Sequence, residues 1–220
     1  CRCEKCRAFV EKHGNQTDLL IDLVNYVAEG IEAEFPKVTV ETLAYQYTRH
    51  APKSVFPRKN VMIRLCSIEC DFARPLDSEV NRSFSQDVKA WAKIAPMLYV
   101  WNYVTNFTKY YLPHPNWENL VNDIRFLLAH KVRGLFEQGS SGPMKSADLP
   151  EYRAYLLSRM MGNPELDEQA VSEEFLNGFY GPAAPHVAHY LELMKAAIAV
   201  HPDFRLICYQ SGTRGWLSED

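Results

Sequence analysis

The stretch that decides the fold is Val61-Met-Ile-Arg-Leu-Cys66, followed by a helical run and then Met97-Leu-Tyr-Val-Trp101. The first and last pieces are short, apolar and β-branched or aromatic, the signature of strands buried on both faces. Between them Phe84, Val88, Trp91, Ala92 and Ala95 recur at helical spacing, and Pro96 stops the run. Strand, helix, strand over about forty residues is a parallel βα unit rather than a hairpin.

The same alternation extends in both directions. Leu20, Leu23, Val24, Val27, Ile31 and Phe35 predict an amphipathic helix over 16–35, ended by Pro36. Residues 38–45 then read as a strand, and 48–60, with Pro52 and Pro57, as a crossover loop. Leu120, Val121, Ile124, Leu127 and Leu128 predict a further helix before a fourth strand, Val132-Arg-Gly-Leu-Phe136. Three helical segments follow from Leu149 to Val200, punctuated by Gly162-Asn-Pro164 and Gly181-Pro182. Four strands are half of an eight-stranded barrel. The expected fold is therefore α/β, the second half of a (β/α)8 TIM-type barrel followed by a C-terminal helical extension. Residues 1–147 would form the half barrel and 148–220 the extension. An open doubly wound sheet is disfavoured, because no Gly-rich phosphate loop follows any strand.

Composition narrows the function. The 220 residues are 47% hydrophobic and 12% aromatic, with 24 basic and 27 acidic side chains giving −3. That balance supplies no field for a polyanion, and no basic run is interleaved with aromatics, so nucleic acid is not an expected partner. No apolar run reaches the length of a membrane span. There is no Walker loop, no G-x-S-x-G elbow and no H-E-x-x-H, and no cofactor is expected. Cys1, Cys3 and Cys6 form C-x-C-x-x-C. Three thiols are one short of a closed tetrahedral set and no His follows at a finger spacing, so a local disulfide or free thiols is the favoured reading and no metal site is expected.

In a βα barrel the reactive face lies at the C-terminal ends of the strands. Those ends read Tyr45-Gln46-Tyr47, Ser67-Ile68-Glu69-Cys70-Asp71, Trp101-Asn102-Tyr103 and Glu137-Gln138-Gly139-Ser140-Ser141-Gly142. Aromatic faces stack on pyranose rings, while carboxylates and amides take sugar hydroxyls. Glu69 and Glu137 are the candidate catalytic carboxylates. Tyr45, Tyr47, Trp101, Asn102, Tyr103 and Gln138 are the candidate substrate contacts. Each has a plainer alternative: Trp101 as ordinary core at a strand end, Tyr47 as a rim cap, Glu69 as half of a structural ion pair.

Thr42-Leu-Ala-Tyr-Gln-Tyr-Thr48, Leu65-Cys-Ser-Ile-Glu-Cys70, Val100-Trp-Asn-Tyr103, Gly134-Leu-Phe-Glu-Gln-Gly139 and Asn177-Gly-Phe-Tyr-Gly-Pro-Ala-Ala-Pro185 occur in this order along the chain. Together with Cys1-Arg-Cys-Glu-Lys-Cys6 they resemble the bacterial domain of unknown function 4838 family, which overlaps glycoside hydrolase family 163. The resemblance implies a (β/α)8 barrel and endo-β-N-acetylglucosaminidase action on N-glycan-like chains. It also implies a periplasmic, cell-surface or extracellular parent, and a main acidic pair on a fourth barrel strand ahead of Cys1. On that reading the partners are an oligosaccharide or glycan and the missing N-terminal half of the barrel, and the isolated chain is inactive. One departure stands out. Trp101-Asn102-Tyr103 carries an amide where the family is expected to carry Asp, and an amide cannot act as acid or base. Two other readings stay open: a non-catalytic carbohydrate-binding barrel, and a glycosidase whose carboxylate pair is Glu69 and Glu137 themselves.

Overall fold

The computed structural model describes residues 1–140, 147–212 and 215–217. Its four strands are β1 (Val40–Ala44), β2 (Val61–Cys66), β3 (Met97–Tyr103) and β4 (Val132–Gln138). They form one parallel sheet in the order β1-β2-β3-β4. The helices are α1 (Glu4–His13), α2 (Gln16–Glu34), α3 (Arg82–Ile94), α4 (Trp117–Ala129), α5 (Pro150–Gly162), α6 (Glu168–Tyr180) and α7 (Ala184–Ala199). Order, direction and the C-terminal helical segment are consistent with half of a (β/α)8 barrel. No described helix is long and apolar enough to cross a membrane.

Register explains which face each strand buries. Thr42 sits opposite Ile63, and Ile63 opposite Leu98; Leu43 sits opposite Arg64, and Arg64 opposite Tyr99. Because side chains alternate, Ile63 and Leu98 share one face with Leu65 and Val100, all buried, while Arg64 and Tyr99 share the other. The α3 stripe of Phe84, Val88 and Trp91 is buried as well. Each such side chain contributes roughly 1.5–3 kcal/mol when fully buried. On the second face Arg64 pairs with Glu41 across β1 and β2 at 2.5 Å. There Gly134 is required by packing: a Cβ would meet the Tyr99 ring at 2.6 Å from Cδ2 and 2.7 Å from Cζ.

By contacts the chain forms two compact units, interleaved in sequence. The first is Cys1–Glu69, Arg82–Asn102 and Leu127–Phe136; the second is Cys70–Asn81, Tyr103–Phe126 and Glu137–Asp220. In the first, Asp18 on α2 is fully buried and accepts from the backbone N–H groups of Lys53 (3.0 Å), Ser54 (2.7 Å) and Val55 (2.8 Å). That carboxylate fixes the crossover loop against the helix. Burial pushes its pKa up, but the three backbone donors and the Ser54 hydroxyl outweigh it and hold the carboxyl below its ordinary value. In the second unit, Leu156, Met160, Val171 and Leu206 are core. His114 and Arg153 are buried beside them, with Arg153 donating to the His114 carbonyl at 2.9 Å and to Asn116 at 3.1 Å.

Four elements differ from the sequence expectation. The Cys-rich start is not only a turn but opens α1, a helix with no fully buried residue whose half-buried side is Cys6, Phe9, Val10 and His13. β3 and β4 each run two residues past the expected ends, through Asn102-Tyr103 and Glu137-Gln138. β1 begins two residues later than expected, at Val40.

Candidate functional site

After β1 the backbone turns sharply at Gln46, whose φ of 49° is a left-handed conformation that costs a non-glycine residue on the order of 1 kcal/mol. Thr48 closes the turn: its hydroxyl accepts from the Tyr45 N–H at 3.3 Å and donates to the Tyr45 carbonyl at 3.0 Å. The turn throws Tyr47 into solvent, 77% exposed, and delivers Arg49 inward.

Arg49 is the hub of the first unit's rim. Its Nε donates to Asp87 at 2.7 Å, Nη1 to Glu69 at 3.1 Å and Nη2 to Ser83 at 2.5 Å. His50 Nδ1 lies 2.8 Å from the other Asp87 oxygen. The Trp91 indole N–H donates to the Arg49 carbonyl at 2.7 Å, tying the hub to α3. Burial lowers the guanidinium pKa, but the Asp87 and Glu69 carboxylates outweigh it, so Arg49 is firmly cationic. The Asp87 side chain is buried, whereas that of Glu69 is 41% exposed. One carboxylate of the network is therefore structural and the other faces solvent with a fixed orientation.

Trp101 stands half-exposed at the end of β3 with its ring edge-on to Phe136, centroids 4.8 Å apart. Asn102 points the other way. It is 1% exposed, and Ser67 donates its hydroxyl to the Asn102 Oδ1 at 2.6 Å. Tyr45 and Tyr47 line a groove of about 1170 Å³ with Tyr26, Leu43, Glu41 and Cys6. So Tyr45, Tyr47, Glu69, Trp101 and Asn102 all belong to the first unit, and of these Asn102 is committed to the interior.

Tyr103, Glu137 and Gln138 belong to the second unit. Tyr103 is buried and packs edge-on against Phe107 at 6.1 Å. The Gln138 carbonyl accepts from the Val104 N–H at 3.1 Å. Strand alternation turns Glu137 to the face opposite Phe136. Glu137 also acts on Asp123: burial drives the Asp123 carboxyl well above its ordinary pKa, and the negative charges of Glu137 and Asp77 add to it. Ser141 and Gly142, the far end of the loop expected to approach a ligand, lie outside the described residues. A groove of about 1230 Å³ in this unit, walled by Trp117, Arg125, Tyr152, Glu168 and Lys195, contains none of the residues nominated from sequence.

Sequence reasoning missed Arg49, Asp87 and Ser83, which orient Glu69. The available signal was Arg49-His50, a basic pair just past a strand end, but its partners on α3 are more than thirty residues away. At the chain start, the Cys1, Cys3 and Cys6 Sγ atoms lie within 4.8 Å of one another, and all six cysteines are free thiols.

The family model described as a domain of unknown function (DUF4838) matches residues 1–192. The chain belongs to that family. The matched segment takes in all four strands, α1 through α6 and the first half of α7, so every rim residue of this DUF4838 chain lies inside it. No curated protein and no solved structure matches the chain.

Proposed function

We propose that this DUF4838 chain is the substrate-binding part of a carbohydrate-active enzyme that hydrolyses glycosidic bonds. The type proposed is endo-β-N-acetylglucosaminidase acting on N-glycan-like chains, in line with the resemblance of its motifs to glycoside hydrolase family 163. The observation that carries the reading is the rim of the first unit. There, Tyr45 and Tyr47 follow the end of β1, Trp101 lies two residues before the end of β3, and a solvent-facing Glu69 past the end of β2 has its orientation set by Arg49. Rings offer stacking faces to a pyranose, and a fixed carboxylate accepts from vicinal hydroxyls.

In substrate-assisted hydrolysis the acetamide oxygen of the substrate attacks the anomeric carbon while an enzyme acid protonates the leaving oxygen. This chain's part is then to hold the sugar, with the acid and the acetamide-orienting group supplied by the segment ahead of Cys1. A glycan substrate suits a periplasmic, cell-surface or extracellular parent.

Titration of the purified chain with N,N′-diacetylchitobiose and a chitin oligosaccharide, followed by tryptophan fluorescence and calorimetry, tests this. Binding without hydrolysis is expected, weakened by Glu69→Gln and by Tyr45→Ala. A correctly folded chain that binds neither sugar overturns the reading. Release of a chromogenic N-acetylglucosaminide by the chain alone, abolished by Glu69→Gln or Glu137→Gln, replaces it with a glycosidase using those two carboxylates.

A further inference from the structure

α1 is a ten-residue helix with no buried side chain. A helix of that length is marginal in water on its own backbone bonds, so packing or a tether must hold it. Its C-terminal end is held: the His13 ring meets Ser54 Oγ at 2.8 Å, and Gly14 closes the helix in a left-handed conformation. At its N-terminal end Cys1, Cys3 and Cys6 converge, the three Sγ atoms lying within 4.8 Å of one another. Cys3 and Cys6 are one helical turn apart, and Cys1 folds back onto the same spot.

We propose that Cys1, Cys3 and Cys6 form a three-thiolate site for a thiophilic divalent cation of the zinc class, which fastens residues 1–3 to the first turn of α1. Zn–S bonds of about 2.3 Å in tetrahedral geometry place sulfurs roughly 3.8 Å apart. Small rotations of the exposed Cys1 and Cys3 side chains bring the set to that spacing. The fourth position is left to an exchangeable ligand such as water. The three thiols give up their protons to solvent on binding, and three thiolates with one dication carry a net −1. Arg2, Lys5 and Arg7, against Glu4 in the same seven residues, leave a net positive charge that offsets it. An all-sulfur set rejects magnesium and calcium, which require oxygen ligands. The site is structural and independent of the glycan reading.

The test is a cobalt titration of the reduced, metal-free chain, followed by displacement with zinc. One equivalent of Co²⁺ should bind with a thiolate-to-cobalt charge-transfer band, and Zn²⁺ should remove the band while Mg²⁺ should not. Cys3→Ser and Cys6→Ser should each weaken binding at least about tenfold, no less than loss of an outer-shell partner costs. Cys208→Ala should bind like the parent. Because Cys3 is exposed and Cys6 only half-buried, the serine variants should retain the fold, with unchanged urea midpoints in the metal-free state as the control. The same stoichiometry is expected when extra residues precede Cys1; loss of binding in that chain would assign the ligand to the terminal amine and overturn the proposal. Cobalt uptake without the charge-transfer band, or with equal affinity in a Cys3→Ser/Cys6→Ser double variant, also overturns it. So does a Cys3–Cys6 disulfide in the protein as purified without reductant.

Discussion

Arg49 and Asp87 meet through Nε and Oδ2 at 2.7 Å, both side chains shielded from solvent, and the same guanidinium extends a second arm to the half-exposed Glu69. The two arms differ in energetic weight. Breaking a buried pair from one side strands a charge and costs about 3–5 kcal/mol, whereas an exposed pair contributes about 1 kcal/mol or less. Arg49→Gln should therefore lower unfolding free energy by about 3 kcal/mol, and Glu69→Gln by no more than about 1 kcal/mol. Urea denaturation of both variants checks this. It also establishes whether Glu69→Gln is a clean probe of binding.

Asp18 satisfies three backbone donors of the crossover loop from a fully buried position. Each buried donor left unpaired costs about 1–3 kcal/mol. Asp18→Ala should destabilise by at least about 3 kcal/mol and release residues 53–55, read as faster amide exchange there than in β2. Asp18→Asn, which keeps one acceptor oxygen, should fall between the two.

Gly134 lies where any Cβ would penetrate the Tyr99 ring. Gly134→Ala should cost about 1–3 kcal/mol by overpacking. In Tyr99→Leu the obstruction is gone, so the same alanine should cost clearly less. The non-additivity of the double variant in urea is the measurement.

His114 and Asp123 should impose opposite pH slopes. Burial, helped by the Arg153 charge, holds the His114 pKa well below its ordinary value. The unfolded chain then binds the extra proton first, so stability present above about pH 6.5 is lost as pH falls. Burial raises the Asp123 pKa instead, so stability present below about pH 4 is lost as pH rises. Each slope reaches at most about 1.4 kcal/mol per pH unit, and between roughly pH 4 and 6.5 they oppose. Asp123→Asn should steepen the acid loss and stabilise the protein at pH 7, while His114→Leu should flatten it. Urea unfolding at pH 5 and pH 7 distinguishes them.

The fold was largely legible in the sequence, because strand and helix periods are local properties. β2 falls on the expected 61–66, and α2 on 16–34 against an expected 16–35. α1 was missed because its half-buried side, Cys6, Phe9, Val10 and His13, is short and only partly apolar. The rim was legible only to the extent that strand ends mark it: Tyr45 and Tyr47 follow β1, Glu69 follows β2, and Trp101 lies near the end of β3. Their surroundings were not. Asn102 reads as a contact residue by position, yet its hydrogen bond to Ser67 spans thirty-five residues. The partners that orient Glu69 lie across a crossover, and no local pattern encodes them.

The interleaving of the two units has a consequence for biosynthesis. The chain passes between them at 69/70, 81/82, 102/103, 126/127 and 136/137. No single cut frees either one, so a chain nicked in a loop should stay associated, and no simple truncation should isolate either unit. On the ribosome the first unit has all its residues only once Phe136 has emerged, and the second waits for the C-terminal residues Leu206 and Trp216. Completing each unit thus depends on pairings distant in sequence, which close slowly. Until Phe136 has emerged the nascent chain displays apolar surface from both units, and from then until the last segment arrives it displays that of the second, a surface open to chaperone capture.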